Sequence, residues 1–481
     1  MKPLGLLLPL MAAAALLGPP SLVEAQAQRP AQVVDGSHRG YLAVRLLAGG
    51  EHEVINELNA DRLFVPASVL KVVTVAAALE HLGAEYQWLT RLRSDAARSG
   101  TVLDGDLVIE PGADPTWSDD FFDGGAGQPL AALAHQVRAL GLTRISGDLV
   151  VDANRFPGRP HPTDRSYGDL PYRHGTPPAA LALDEATITV RVAPGRAIGE
   201  PARIRAPVGI EVINHTTTVG RDRHGAGSLD FLPVWGTNTL LLRGEYPISE
   251  EPFVVSASDP APELRVARQL REALGEAGVT VGGVVRLRSQ PVATEQFNTL
   301  AEHRSRPLGD VLEKILTRSH NWYADMLTLT PALEVGRSGR FEDGVDVISD
   351  FVTDLLPGEA RAVASLWIRD GSGLSPSNLV APTTIVRVLA HALEQPWGRT
   401  VIEALAGPGT GTLAAWPQMP PIAAKTGTLR HTVALAGILD PGSQTPVIFC
   451  YFVDHHPERP GVARSEIASA VGRWRDVAAS R

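Results

Sequence analysis

Short apolar-rich runs at Tyr41-Leu-Ala-Val-Arg-Leu-Leu47 and Glu53-Val-Ile-Asn56, separated by Gly49-Gly50, predict a β-hairpin. The pattern then becomes a continuous apolar stretch opened by Pro66-Ala-Ser-Val-Leu-Lys71 and running to about Leu82, which predicts a helix. From about Leu92 it breaks into short strands and turns punctuated by Gly105, Gly112 and Gly147. Inside this region Leu130, Leu133, Val137 and Leu140 share one face of an amphipathic helix. The stretch from Phe156 to Pro178 is rich in Pro, Gly and Arg and predicts a loop or linker. Short strands follow from Thr187 to Leu242, then a helix over Val266–Leu274 and a strand over Val281–Arg286. Helices and strands resume near Thr299, Val447–Val453 predicts a buried strand, and Ala463–Ala479 predicts a closing amphipathic helix.

The chain has 481 residues, more than one hydrophobic core accommodates, so two or three domains are expected. A net charge of -9 and a pI near 5.9 argue against a nucleic-acid partner, which calls for a basic stripe. Met1-Lys2-Pro3, the apolar run Leu4–Leu17 and the small-residue stretch Val23–Ala27 predict a secretory signal peptide over 1–27 and a periplasmic or cell-wall location. Cys450 is alone and predicts a small core hydrophobe rather than a disulfide or a catalytic thiol. No Cys/His cluster has zinc spacing, and Asp454-His455-His456 closes a strand rather than holding a metal.

Only four of the 44 basic residues are lysines: Lys2, Lys71, Lys314 and Lys425. Arginine cannot give up its proton in a protein, so a lysine that must act as a base cannot be replaced by it. Lys2 heads the export signal. Lys314, four residues after Asp310, predicts an exposed helical charge paired along the helix. Ser68 and Lys71 are three apart on one helix, which places the hydroxyl beside an amine desolvated by Val72, Val73 and Val75. That pairing fits a serine nucleophile with a lysine base. Lys425-Thr426-Gly427-Thr428 predicts an edge strand that offers a fixed positive charge, two hydroxyls and a glycine for close approach of a ligand backbone. Ser319-His320-Asn321 lies between the two motifs at a helix start, about 250 residues after Ser68.

In this order, Ser-x-x-Lys, Ser-x-Asn and Lys-Thr-Gly resemble the motif set of serine β-lactamases and penicillin-binding proteins. The long gap, Leu107–Pro115, Ile145–Phe156, Asp370-Gly-Ser-Gly-Leu-Ser375 and Gly411-Thr-Leu413 are similar to one branch of these. This is the class C low-molecular-mass penicillin-binding proteins, D-Ala-D-Ala carboxypeptidases and endopeptidases with inserted domains. The chain departs from the branch at His320, Asp325 and Pro376, where Asp, Glu and Arg are usual.

The resemblance implies an α/β multidomain fold: a transpeptidase-like catalytic domain, an antiparallel sheet flanked by helices, with nested β-rich insertions. The expected domains are catalytic over 28–92 and 299–481, a second over 93–160 and 255–298, and a third over 161–254. It implies catalysis by Ser68, Lys71, Ser319 and Asn321, with Lys425, Thr426, Gly427 and Thr428 holding a terminal carboxylate. Asp152 is similar to a position facing the amino-bearing side chain of the stem peptide. The implied partners are peptidoglycan peptides ending in or cross-linked through D-Ala, and β-lactams that mimic them; no cofactor is implied. A β-lactamase or esterase, or an idle wall-binding protein, would carry the same motifs.

Overall fold

The computed structural model describes residues 36–47, 51–220, 229–288, 290, 296–355, 366–457 and 459–480. The expected signal segment and the Gly49-Gly50 turn lie outside the described residues.

Two segments almost four hundred residues apart in sequence build one antiparallel sheet. Its order is His52–Leu58, His38–Leu46, Val447–Asp454, Thr432–Leu439, Ile422–Leu429. Two of the inner strands, Thr432–Leu439 and Val447–Asp454, read as nearly unbroken apolar runs because both of their faces are covered. Ile448, Cys450 and Phe452 point to one face, packed with Val72, Val73 and Ala76 of the Lys71–Leu82 helix and Ile385 and Leu389 of the Pro382–Glu394 helix. Val447, Phe449, Tyr451 and Val453 point to the other, against Ile467, Val471 and Trp474 of the Pro460–Ala479 helix. Each large apolar side chain buried here stabilises the sheet by about 1.5–3 kcal/mol relative to exposure. Cys450 is fully buried in that core, and burial pushes its thiol well above the usual range. The Asn321–Glu334 helix docks beside the Lys71–Leu82 helix through Val75, Ala78, Leu79, Trp322 and Met326.

A second five-stranded sheet runs Val285–Arg288, Leu149–Asp152, Leu107–Glu110, Leu89–Ser94, Asn298–Arg304. The Gln128–Ala139 and Pro262–Glu276 helices cover it through Leu130, Leu133, Val137, Val266 and Leu270. The expected face of the first helix holds except at Leu140, which is 42% exposed beyond the helix end. Because Leu89–Ser94 pairs with Asn298–Arg304, the expected domain edges at 92/93 and 298/299 run through paired strands. The third group of strands forms two three-stranded sheets around Val190, Phe231, Leu240 and Leu242.

Lys314 is not the exposed charge expected. It is 7% exposed, its Nζ lies 2.5 Å from Asp120 Oδ2, and it sits 5.6 Å from the centre of the Phe121 ring. Asp310 pairs with Arg306 instead. The face of the Leu308–Leu316 helix that carries Lys314 meets the Asp120–Phe121 segment, a contact between distant parts of the chain that helical periodicity does not reveal.

Candidate active site

Ser68 stands in a 3-10 turn, Ala67–Leu70, which leads into the Lys71–Leu82 helix. The helix ends at Leu82 as expected, but its first turn is tighter than an α-helix. Ala67 has φ of +46°, a conformation disfavoured for a residue with a Cβ, and it turns the chain immediately before Ser68. Two glycines admit this turn. A Cβ on Gly373 would lie 1.9 Å from the Ala67 carbonyl oxygen, and one on Gly427 2.7 Å from that of Pro66. Gly427 therefore makes room for the serine-bearing turn.

Lys71 is fully buried behind Ser68. Its Nζ lies 2.8 Å from Ser68 Oγ, 2.7 Å from Asn321 Oδ1 and 2.5 Å from the Ser372 carbonyl oxygen. A neutral amine has two hydrogens and one lone pair. It can donate to Asn321 and Ser372 while accepting the Ser68 hydroxyl proton, so these three neighbours suit a base. Burial brings the Lys71 amine down to about 7; Asp325 and Asp370 oppose that fall and Arg165 adds to it.

The Ser-x-Asn element enters from the start of the Asn321–Glu334 helix. Ser319 has φ of +61°, and its Oγ lies 2.8 Å from Lys425 Nζ. Asn321 joins the two halves of the site: its Oδ1 faces Lys71 while its Nδ2 donates to the His174 carbonyl at 2.8 Å.

The Ile422–Leu429 strand is the sheet edge expected for the Lys-Thr-Gly element. Lys425 is fully buried, and Nζ also donates to the Thr426 carbonyl at 2.8 Å. Burial first, then the nearby Lys71, hold its amine well below the usual lysine range. The Thr426 hydroxyl donates to Thr412 Oγ1 at 2.6 Å, tying the strand to the Gly411–Ala415 turn.

Ser68, Ser319, Asn321 and Thr428 line an open cleft of about 890 Å³, with the two lysines behind them. Gly373, Leu374 and Pro376 border it. Asp152 does not line it: the carboxylate pairs with Arg288 at 2.7 Å and accepts from Asn154 N at 3.1 Å, closing a turn. The opposing pulls of burial and of Arg288 and Asn154 leave that carboxyl below the usual range. Two acids line the cleft wall: Asp169, 3.1 Å from His174 Nε2, and Asp454, which accepts from Val65 N at 2.8 Å and from Thr432 Oγ1 at 3.0 Å.

Sequence reasoning missed Arg165. It comes from the predicted linker and buries its side chain to 1% exposure. Nη2 donates to Asp325 Oδ2 at 2.5 Å, Asp370 Oδ2 at 3.2 Å and Ser372 Oγ at 2.9 Å. An isolated arginine in a Pro/Gly-rich stretch carries no signal of this. The paired acids carry little more, since each looks like an ordinary helix or loop residue until they meet.

Residues 26–475 match the D-Ala-D-Ala carboxypeptidase 3 (S13) family. The D-alanyl-D-alanine carboxypeptidase of Actinomadura sp. (strain R39) is 30% identical over 447 residues, covering 88% of this chain and 79% of that one. The D-alanyl-D-alanine carboxypeptidase DacB of Haemophilus influenzae is 27% identical over 430 residues, covering 87% and 86%. The crystal structure of penicillin binding protein 4 (dacB) from Haemophilus influenzae superposes with a TM-score of 0.76 at 25% identity, covering 91% of this chain and 94% of that one. A match that runs through both insertions as well as the sheet leaves no part of the architecture to another fold, and the chain belongs to the D-Ala-D-Ala carboxypeptidase 3 (S13) family.

Proposed function

We propose that this protein is a serine hydrolase of peptidoglycan stem peptides, cleaving the bond after D-Ala through an acyl-enzyme on Ser68. The observation that carries the reading is the buried, neutral-leaning amine of Lys71, 2.8 Å from the Ser68 hydroxyl that opens on the cleft. Lys71 takes the Ser68 proton as Oγ attacks the carbonyl carbon. Backbone N–H groups of Ser68 and Thr428 receive the oxyanion. The C–N bond then breaks, and the departing amine of D-Ala takes a proton through Ser319. Water hydrolyses the ester and returns Ser68 to its hydroxyl form. Asn321 holds Lys71 and the substrate. Lys425, with Thr426 and Thr428, faces the terminal carboxylate, whose arrival restores the ammonium that burial disfavours. Asp152 is the residue the resemblance sets against an amino-bearing stem side chain, and Asp169 offers a further carboxylate on the cleft wall.

A β-lactam presents a similar acyl bond and carboxylate, so penicillin acylates Ser68 and stays. The predicted leader and the named activities of the relatives support a working place in the cell wall. No helix among the described residues is long and apolar enough to cross a membrane.

The test is release of D-Ala from pentapeptide muropeptides, and of monomers from cross-linked dimers, beside penicillin hydrolysis. Release with slow penicillin turnover is expected. Rapid penicillin turnover with no release makes the protein a β-lactamase instead, and the absence of every activity makes it a binding protein.

Acylation should also follow pH. Only the unprotonated amine accepts a proton, so below about 7 the rate with penicillin rises close to tenfold per pH unit, and above about 7 it levels off. Stopped-flow acylation between pH 5 and 9 measures this; a rate that falls as pH rises through 7 contradicts Lys71 as base.

A further inference from the structure

The strongest unused feature is the buried charge cluster beneath Lys71. Asp325 comes from the Asn321–Glu334 helix, Asp370 from the loop after Leu366–Trp367, and Arg165 from the inserted segment. Both acids are fully buried. Asp370 is well satisfied, accepting from Gly373 N at 2.9 Å, Ser375 N at 2.9 Å and Asn378 Nδ2 at 2.7 Å. The loop it shapes carries both the Ser372 carbonyl that meets Lys71 and the Ser372 hydroxyl that meets Arg165.

The charges impose a choice. Two buried carboxylates close to an amine favour its ammonium form, which cannot act as a base. One guanidinium between the two acids cancels one of those charges, and being unable to lose its proton it does so at any working pH. The remaining groups that face Lys71 are Lys425 on the Ile422–Leu429 strand and His320 before the Asn321–Glu334 helix. Burial takes the His320 imidazole down to about 3, so it is uncharged there.

We propose that Arg165 is a positioning residue for the acylation step: it offsets Asp325 and Asp370, keeps Lys71 free to take the Ser68 proton, and pins the Ser372 carbonyl that orients the amine. This deepens the reading of Lys71 as base and rests on it. Its consequence is that the inserted segment, and not the catalytic sheet alone, sets the working pH of the site. Burial raises Asp325 to about 6, with Arg165 opposing that rise. In Asp370 the guanidinium and the loop hydrogen bonds prevail over burial and hold the carboxyl below the usual range.

The test is the pH midpoint of penicillin acylation in four proteins: wild type, Arg165→Met, Asp325→Asn and the double variant. Removing Arg165 should raise the midpoint, by less than a full uncompensated carboxylate would, because Asp325 without the guanidinium binds a proton more readily; the rate at pH 6 should fall by about two- to fivefold. Asp325→Asn should lower it. The double variant should lie near wild type, because a positive and a negative charge leave together. If Arg165→Met alone does not fold, the comparison of the double variant with Asp325→Asn measures the same upward shift. Arg165→Lys should restore most of the wild-type midpoint. Midpoints that agree across all folded variants overturn the proposal while leaving the base in place. A wild type that is not acylated, or whose acylation is independent of pH, overturns the base assignment itself.

Discussion

Lys71→Arg should abolish acylation of Ser68, lowering its rate by about three orders of magnitude or more, the scale of a lost general base. Two independent reasons converge. A guanidinium stays protonated and cannot accept the Ser68 proton. It is also larger, and Lys71 is fully buried with three oxygens within 2.8 Å of its Nζ. Overpacking of that kind costs about 1–3 kcal/mol. Lys71→Met, which nearly conserves volume, separates the two: it should remain folded by thermal unfolding and still fail to acylate. Acylation of either variant at the wild-type rate would falsify the base assignment.

Lys425→Met should be the second largest effect. Lys425 holds Ser319 at 2.8 Å and faces the cleft end where a terminal carboxylate lies in the proposed mechanism. A hydrogen bond to a charged group is worth about 1.5–3 kcal/mol, so kcat/KM on a D-Ala-terminated peptide should fall by about ten- to a hundredfold. The same peptide with an amidated terminus lacks the carboxylate, so the variant should lose far less on it than on the free acid. Arginine at this position should not rescue the loss. From sequence alone that change reads as a weakening of binding, but full burial leaves no room for the larger group beside Ser319. Equal losses on both peptides would place Lys425 in support of Ser319 only.

Much of the site was legible because its chemistry needs residues that substitute poorly in a chain nearly emptied of lysine. Lys71 and Lys425 stand behind one cleft, and Ser68, Ser319, Asn321 and Thr428 line it. The continuous apolar run Val447–Val453 predicts a buried strand and forms one, and the Lys-Thr-Gly strand lies at the sheet edge as read. What sequence could not give are long-range pairings. Lys314 looked solvated because its partner, Asp120, is 194 residues away. Asp152 stands out only through the family resemblance, and nothing local announces its partner Arg288, 136 residues on. Arg165 lay hidden in a stretch whose composition signals only a loop, yet it meets two acids brought together by folding alone. Gly427 reads as a place of close approach, but nothing local announces that the Pro66 carbonyl is one of the groups that comes near.

The central claim is that Ser68 is the atom that becomes acylated. The most direct measurement is intact-protein mass spectrometry after incubation with penicillin, followed by peptide mapping, on wild type and Ser68→Ala. Wild type should gain the mass of one penicillin on the peptide containing Ser68, and Ser68→Ala should gain none. Equal labelling of the alanine variant, or an adduct that maps to any other residue, contradicts the assignment.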